Sequence, residues 1–122
     1  MIAVLVATLL SLATQPAPTA TDATVVVSGA TASVYVAINN PTMYDIYVVS
    51  ATSDAAGKVE LYSADKPVDN MTVAAYGWLE LRAGGMFLRL SDLKRELKAG
   101  DSITITMVTD GGVTILAVAA VK

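Results

Sequence analysis

Short runs of alternating apolar and polar residues follow one another from Ala23 to the last residues of the chain. This alternation has the period of two that half-buried β-strands show. In the run 102–108 one face carries isoleucine and methionine and the other carries serine and threonine, so Met107 is predicted to lie in the core. Eight such runs are predicted as strands: 23–28, 33–39, 44–52, 58–63, 78–83, 86–91, 102–108 and 113–121.

The segments between these runs have the composition of tight turns. Glycine occurs at Gly57, Gly84-Gly85, Gly100 and Gly111-Gly112, where a reversing chain needs positive φ angles. No helix is predicted beyond a turn at 91–97. The pattern therefore predicts an all-β protein, a two-sheet β-sandwich of about eight strands with Greek-key connections.

The N-terminus has a different pattern. Residues 1–13, MIAVLVATLLSLA, form one apolar run, shorter than the span of about 20 residues that a membrane helix needs. It ends in the small-x-small pattern of a signal-peptidase site, so a signal peptide is predicted; an uncleaved membrane anchor and a buried element of the domain are the alternatives. The Pro/Thr/Ala stretch 14–22 is predicted to be a linker. Residues 1–21 are therefore separated from a β-domain at 22–122, expected outside the cytoplasm: secreted, periplasmic or on the outer face of the membrane.

The amino-acid composition excludes several kinds of functional site. The 122 residues contain no cysteine and no histidine, which removes disulfides, zinc sites of the Cys/His kind and catalysis by thiolate or imidazole. No enzymatic activity is therefore expected. All eight basic residues lie in 58–122, where eight acidic residues balance them. Since no aromatic residues interleave with the bases, nucleic-acid binding is not expected.

The order of motifs between Ala32 and Val121 carries a family resemblance. It runs SVYVAINN, AAGKVELY, a loop with methionine, GGMFLRL, LKRELKAGDSITITMV and a valine-rich strand. This order resembles the PCu(A)C periplasmic copper(I) chaperones, which have a cupredoxin-like fold. The matches at 57–61, 84–85 and 93–101 are the closest. The resemblance implies a cupredoxin-like Greek-key β-sandwich.

The family binds Cu(I) with two histidines and two methionines. Transferred by position, these ligands fall on Tyr62, Met71, Phe87 and Arg89, so that one of the four is retained. A protonated phenol, a benzene ring and a guanidinium are not ligands for Cu(I), which predicts a degenerate metal site. No cofactor is expected, and Cu(I) is the metal that the resemblance leaves open, with Met71 and Met43 as candidate ligands from two loops.

The former ligand positions suggest a second use. Tyr62, Phe87 and Arg89 are predicted to lie together at one end of the sandwich, with Tyr76 and Trp78 nearby. Aromatic residues with arginine are typical of protein-interface hot spots, although they can also simply fill the space of lost ligands.

Two functions follow from these observations. In the first, the protein is an accessory or structural subunit of a respiratory or copper-enzyme complex in the membrane, or of a surface assembly, with membrane contact through residues 1–13. In the second, it is a working Cu(I) chaperone that delivers copper to an extracytoplasmic copper enzyme through a methionine-based site.

Overall fold

The computed structural model describes residues 17–122, so the apolar run at 1–13 lies outside the described residues. The described part of the protein is made of β-strands joined by turns and loops, and within it no helix is long and apolar enough to cross a membrane. The strands are β1 (Thr19–Ser28), β2 (Thr31–Asn39), β3 (Ile46–Ser53), β4 (Ala56–Ser63), β5 (Lys66–Pro67), β6 (Met71–Val73), β7 (Trp78–Glu80), β8 (Met86–Leu93), β9 (Ser102–Thr109) and β10 (Thr114–Val121).

The strands form one hydrogen-bonded path in the order β5-β4-β8-β2-β1-β10-β9-β3-β6. β7 pairs with the end of β2. β3 also pairs with β4, so that the sheet closes into a barrel. β1 and β10 are parallel, and many neighbours in space are distant in sequence, as in Greek-key folds. The predicted all-β class is confirmed, and each of the eight predicted runs overlaps a strand.

One core lies inside the closed path. Alternate residues of β2, β9 and β10 point into it; in β10, for example, Ile115, Ala117, Ala119 and Val121 are buried while their neighbours are exposed. Met107 is fully buried, as predicted. Burial of such apolar surface stabilises the fold by about 25 cal/mol per Å². Outward-facing positions are therefore free to carry the residues of a functional site.

The structure begins its first strand earlier than the sequence predicted. Thr19 pairs with Asn39, and a register irregularity follows between Thr21 and Thr24, where Asp22 adopts a φ of 56°. Residues 19–21 are therefore part of the sheet rather than of the linker. Backbone hydrogen bonds hold them there, and those bonds do not depend on hydrophobic side chains.

Two short strands were not predicted. β5 has two residues and β6 has three, which is too short for alternation to be read from the sequence. In β6, Met71 pairs with Val48 and Val73 pairs with Ile46 across β3. The prediction that Met71 lies in a loop is therefore wrong, because pairing with β3 places it in the sheet.

Candidate functional site

Four side chains come together on the outer face of strands β4, β8 and β2. Tyr62 of β4 lies directly opposite Phe87 of β8, and Arg89 follows two residues later on the same face. The β2–β8 pairing places Ser33 opposite Arg89, which brings Tyr35 beside Phe87. We call Tyr35, Tyr62, Phe87 and Arg89 the ring–guanidinium cluster.

The members of this cluster are in mutual contact. The Tyr62 and Phe87 rings are stacked, with centroids 5.5 Å apart, and Tyr35 meets Phe87 edge-on at 6.3 Å. Arg89 Nη1 donates a hydrogen bond of 3.3 Å to the Tyr62 hydroxyl, and its Cζ lies 5.3 Å from the centroid of that ring. Aromatic pairs contribute about 0.5–1.5 kcal/mol each beyond their buried area, and a cation over a ring about 0.5–2 kcal/mol. The surface is therefore pre-organised.

Arg89 forms no salt bridge within the described part of the protein. Glu60 lies opposite Arg89 in the β4–β8 ladder, but its carboxylate pairs with Lys58 at 3.7 Å. Across residues 17–122 no carboxylate comes within 4.0 Å of the Arg89 guanidinium. A half-buried guanidinium has five N–H donors, so several remain available to an acceptor from outside.

A shallow cavity of about 230 Å³ adjoins the cluster through Tyr35. Its other lining residues come from β1, β2 and the β7 region, and they include the carboxylates of Asp22 and Glu80. Tyr35 thus borders both the cluster and this hollow, in which the Glu80 carboxylate is paired with Arg82.

The methionines do not join this cluster. Met71 is fully buried in the core, whereas the cluster lies on the outer face of the sheet, and Met43 is 62% exposed in the loop before β3. Met86 is partly buried and packs against the core, on the face opposite Phe87. In residues 17–122, histidine, cysteine, aspartate and glutamate form no group of three or more that could hold a metal ion.

Tyr76 and Trp78 lie outside the ring–guanidinium cluster. The segment 74–78 is joined to the loop 40–45 by a hydrogen bond of 3.0 Å from Tyr76 N to Thr42 O. Trp78 pairs with Asn39, at the end of β2 and four residues from Tyr35. These aromatic side chains therefore lie where the loop 40–45 and the segment 74–78 meet, which we call the loop end of the barrel, and not in the ring–guanidinium cluster.

Two important residues were missed by sequence reasoning. Tyr35 lies on the polar face of a predicted strand, but its place beside Phe87 depends on the register between β2 and β8. Asn40 is a fully buried polar residue whose amide holds the loop end together. The sequence Asn39-Asn40-Pro41 is typical of a turn, but it does not indicate which asparagine points inward.

Solved structures with the same fold are copper-protein domains. The copper-bound PCuAC domain from PmoF2 has a TM-score of 0.75 at 16% identity, over 84% of this chain and 90% of that chain. The solution structure of CuI-DR1885 from Deinococcus radiodurans has a TM-score of 0.71 at 28% identity, over 86% of this chain and 76% of that one. These likenesses confirm the PCu(A)C resemblance.

No curated protein matches this sequence. A family model does: residues 12–121 match the family described as "Putative lipoprotein LpqE-like". This match spans nearly the whole described domain, and the PCuAC-like fold agrees with it. The chain therefore belongs to the LpqE-like family and has a copper-chaperone-like β fold.

Proposed function

We propose that this protein is an extracytoplasmic accessory subunit with a copper-chaperone-like fold and a degenerate metal site, and that it binds a protein partner through the ring–guanidinium cluster. The observation that carries the proposal is the position of Arg89. Its guanidinium lies against Tyr62, and both residues stand at positions to which the family resemblance assigns Cu(I) ligands. The proposed role is binding and not catalysis, since the sequence has neither cysteine nor histidine.

The chemistry of the cluster supports a degenerate site. Cu(I) prefers thioether, thiolate and imidazole ligands, and the cluster offers two phenols, a benzene ring and a guanidinium. Arg89 also places a positive charge there, so a copper ion would meet like charge in addition to the absence of soft donors. Met71 is enclosed in the core, on the other side of the sheet from these residues.

The same chemistry supports a protein partner. Tyrosine and arginine are enriched among interface residues that dominate binding energy. Arg89 retains donors in a fork that suits a carboxylate, and stacking against Tyr62 holds that fork in place. We infer that the partner presents an acidic side chain or a terminal carboxylate to Arg89 and fills the hollow beside Tyr35. A subunit of a membrane or surface complex is the proposed source of that segment.

A working Cu(I) chaperone is the second candidate. The likeness to the copper-bound domain from PmoF2 and to CuI-DR1885 favours it. Among residues 17–122 the exposed thioether is that of Met43, so copper delivery through the described domain would have to begin there. The two candidates therefore predict different copper affinities for the unaltered protein.

A Cu(I) titration of the full-length protein against a competing chelator separates the candidates. The proposal expects no stoichiometric binding by the unaltered protein. The variant Tyr62→His, Phe87→His, Arg89→Met serves as positive control, because it places two imidazoles and a thioether on one outer face. This variant should bind Cu(I) at least about tenfold more tightly, a difference of about 1.4 kcal/mol. Tight 1:1 binding by the unaltered protein that is lost in Met43→Ala would establish the chaperone function instead.

Partner binding is tested by retention of envelope proteins on the immobilised full-length protein. Arg89→Ala should weaken retention of a specific partner at least about tenfold, as for a hot-spot residue. Lys58→Ala is the matched control, since Lys58 is an exposed base on neighbouring β4 that already pairs with Glu60. Equal retention by Arg89→Ala and the unaltered protein would contradict the proposed contact.

A further inference from the structure

The loop end of the barrel exposes a group of aromatic and apolar side chains. Met43 and Tyr44 belong to the loop 40–45, and Tyr76 and Trp78 belong to the segment 74–78. Their side chains are exposed by 62%, 71%, 70% and 59%, respectively. We call these four residues the aromatic end. Such large side chains seldom stand together in water without a binding role.

Hydrogen bonds hold the two segments of the aromatic end together. Asn40 Nδ2 donates to the Tyr44 carbonyl at 2.7 Å and to the Val73 carbonyl at 3.0 Å. The Ala75 amide donates to Asp45 Oδ1 at 2.9 Å. These bonds fix the backbone beneath the exposed side chains, so the aromatic end is a formed surface before anything binds to it.

The charged residues at the aromatic end are all acidic. The segments 17–18, 40–45, 74–78 and 109–113, which meet here, contain Asp45 and Asp110 and neither lysine nor arginine. A nucleic acid or an acidic protein surface is therefore a poor match. Tyrosine and tryptophan combine an apolar ring with a polar group, and they are enriched where a bilayer meets water.

The polypeptide enters the domain at this same end. Ala17 and Pro18 line a cavity of about 360 Å³ together with Tyr44 and Val113, and Thr19 then pairs with Asn39. The 16 residues that precede Ala17 include the apolar run 1–13. The aromatic end is therefore the part of the described domain that adjoins the N-terminal segment along the polypeptide.

We propose that the aromatic end docks on a lipid bilayer, with the rings of Tyr44, Tyr76 and Trp78 at the level of the headgroups. The interaction is apolar and aromatic rather than electrostatic, because the end has no basic residue. This inference does not rest on the proposed partner contact. It does predict where the partner-binding cluster lies relative to the membrane. Tyr35 lies four residues before Asn39 on β2, about 13 Å along the strand. The ring–guanidinium cluster would thus face sideways just above the membrane.

Trp78 reports directly on this proposal, because it is the single tryptophan of the sequence. The full-length protein is bound to phosphatidylcholine vesicles, and its fluorescence is compared with that of the detergent-solubilised protein. Lipids brominated near the headgroup end and lipids brominated near the end of the acyl chain serve as quenchers. We expect a blue shift of the emission and stronger quenching by the shallow bromines, as for an apolar face buried ~5–10 Å in the interface. Addition of anionic lipid should not increase the effect.

Two variants distinguish docking from simple tethering. Met43→Ser with Tyr44→Ser alters the aromatic end without touching the fluorophore, and it should reduce the quenching of Trp78 at least twofold. Leu116→Ser with Val118→Ser is the matched control, since these side chains of β10 are 64% and 70% exposed on another face. The control should quench like the unaltered protein.

Three results would overturn the proposal. Trp78 could remain unquenched while the protein floats with the vesicles, in which case the N-terminal segment alone holds it. Both double variants could lower the quenching equally, which would deny any special role of the aromatic end. Trp78 could become shielded without lipid as the protein concentration rises. The aromatic end would then bind a second copy of the protein and not a bilayer.

Discussion

Replacement of Asn40 by alanine tests whether a buried amide holds the loop end together. The side-chain amide of this residue donates to two carbonyls, and its oxygen accepts from the Thr42 amide at 3.0 Å and from the Thr42 hydroxyl at 2.7 Å. Water can replace the bonds near Thr42 and Tyr44, which lie toward the surface. The bond to the Val73 carbonyl is buried, so its loss leaves an acceptor without its side-chain donor.

The size of the effect follows from these contacts. An unsatisfied buried polar group costs about 1–3 kcal/mol, and the loss of the turn-stabilising bonds adds about 1 kcal/mol. We therefore expect Asn40→Ala to lower the free energy of unfolding by about 2–4 kcal/mol. At about 4–8 °C per kcal/mol for a small domain, the melting temperature should fall by roughly 8–32 °C.

Urea unfolding of the full-length protein, followed by far-ultraviolet circular dichroism, measures this loss. Asn39→Ala is the matched control, because the neighbouring asparagine makes a single long contact of 3.5 Å from Nδ2 to the Gly77 carbonyl. The control should lose less than about 1 kcal/mol. Loss of stability in Asn40→Ala within about 0.5 kcal/mol of the control would refute the reasoning, since the buried network would then carry no net energy.

Two further pairs of variants test the core and the turns. Met71→Ala should destabilise the fold by about 2–5 kcal/mol in urea unfolding because it empties a fully buried position, whereas Met43→Ala should change it by less than about 0.5 kcal/mol. Equal effects would deny that Met71 is a core residue. Gly84→Ala should cost about 1–2 kcal/mol in thermal unfolding because φ is 83° there, whereas Gly85→Ala should be nearly neutral; the reverse order would contradict the turn geometry.

The long strands could be predicted from the sequence because their signal is local. In β9 the alternation of isoleucine and threonine over eight residues decides which face is buried, whatever the strand pairs with. β6 could not be predicted in this way. Its three residues are too short for periodicity, and Met71 is buried because pairing with β3 places β6 in the sheet with Met71 on the core-facing side. The expected loop methionine is therefore a core residue.

The candidate site, too, could be predicted from the sequence only in part. Alternation in GGMFLRL was enough to place Phe87 and Arg89 on one outward face, and the resemblance pointed to Tyr62 as their neighbour. Tyr35 could not be added from sequence, because its contact with Phe87 depends on the pairing of β2 with β8. The separation of Tyr76 and Trp78 from the cluster also depends on pairing, since β7 joins the far end of β2.

The sequence by itself determined the all-β class, the faces of the long strands and the family resemblance, and it led to the prediction of a degenerate metal site. These properties depend on residue identity and on the alternation of apolar and polar residues. Both can be recognised within a few neighbouring residues. Only the tertiary structure decided the burial of Met71, the stacked arrangement around Arg89, and the entry of the polypeptide at the aromatic end. Each of these depends on strand register between segments distant in sequence, and hydrogen bonding and packing select that register only when the whole barrel closes.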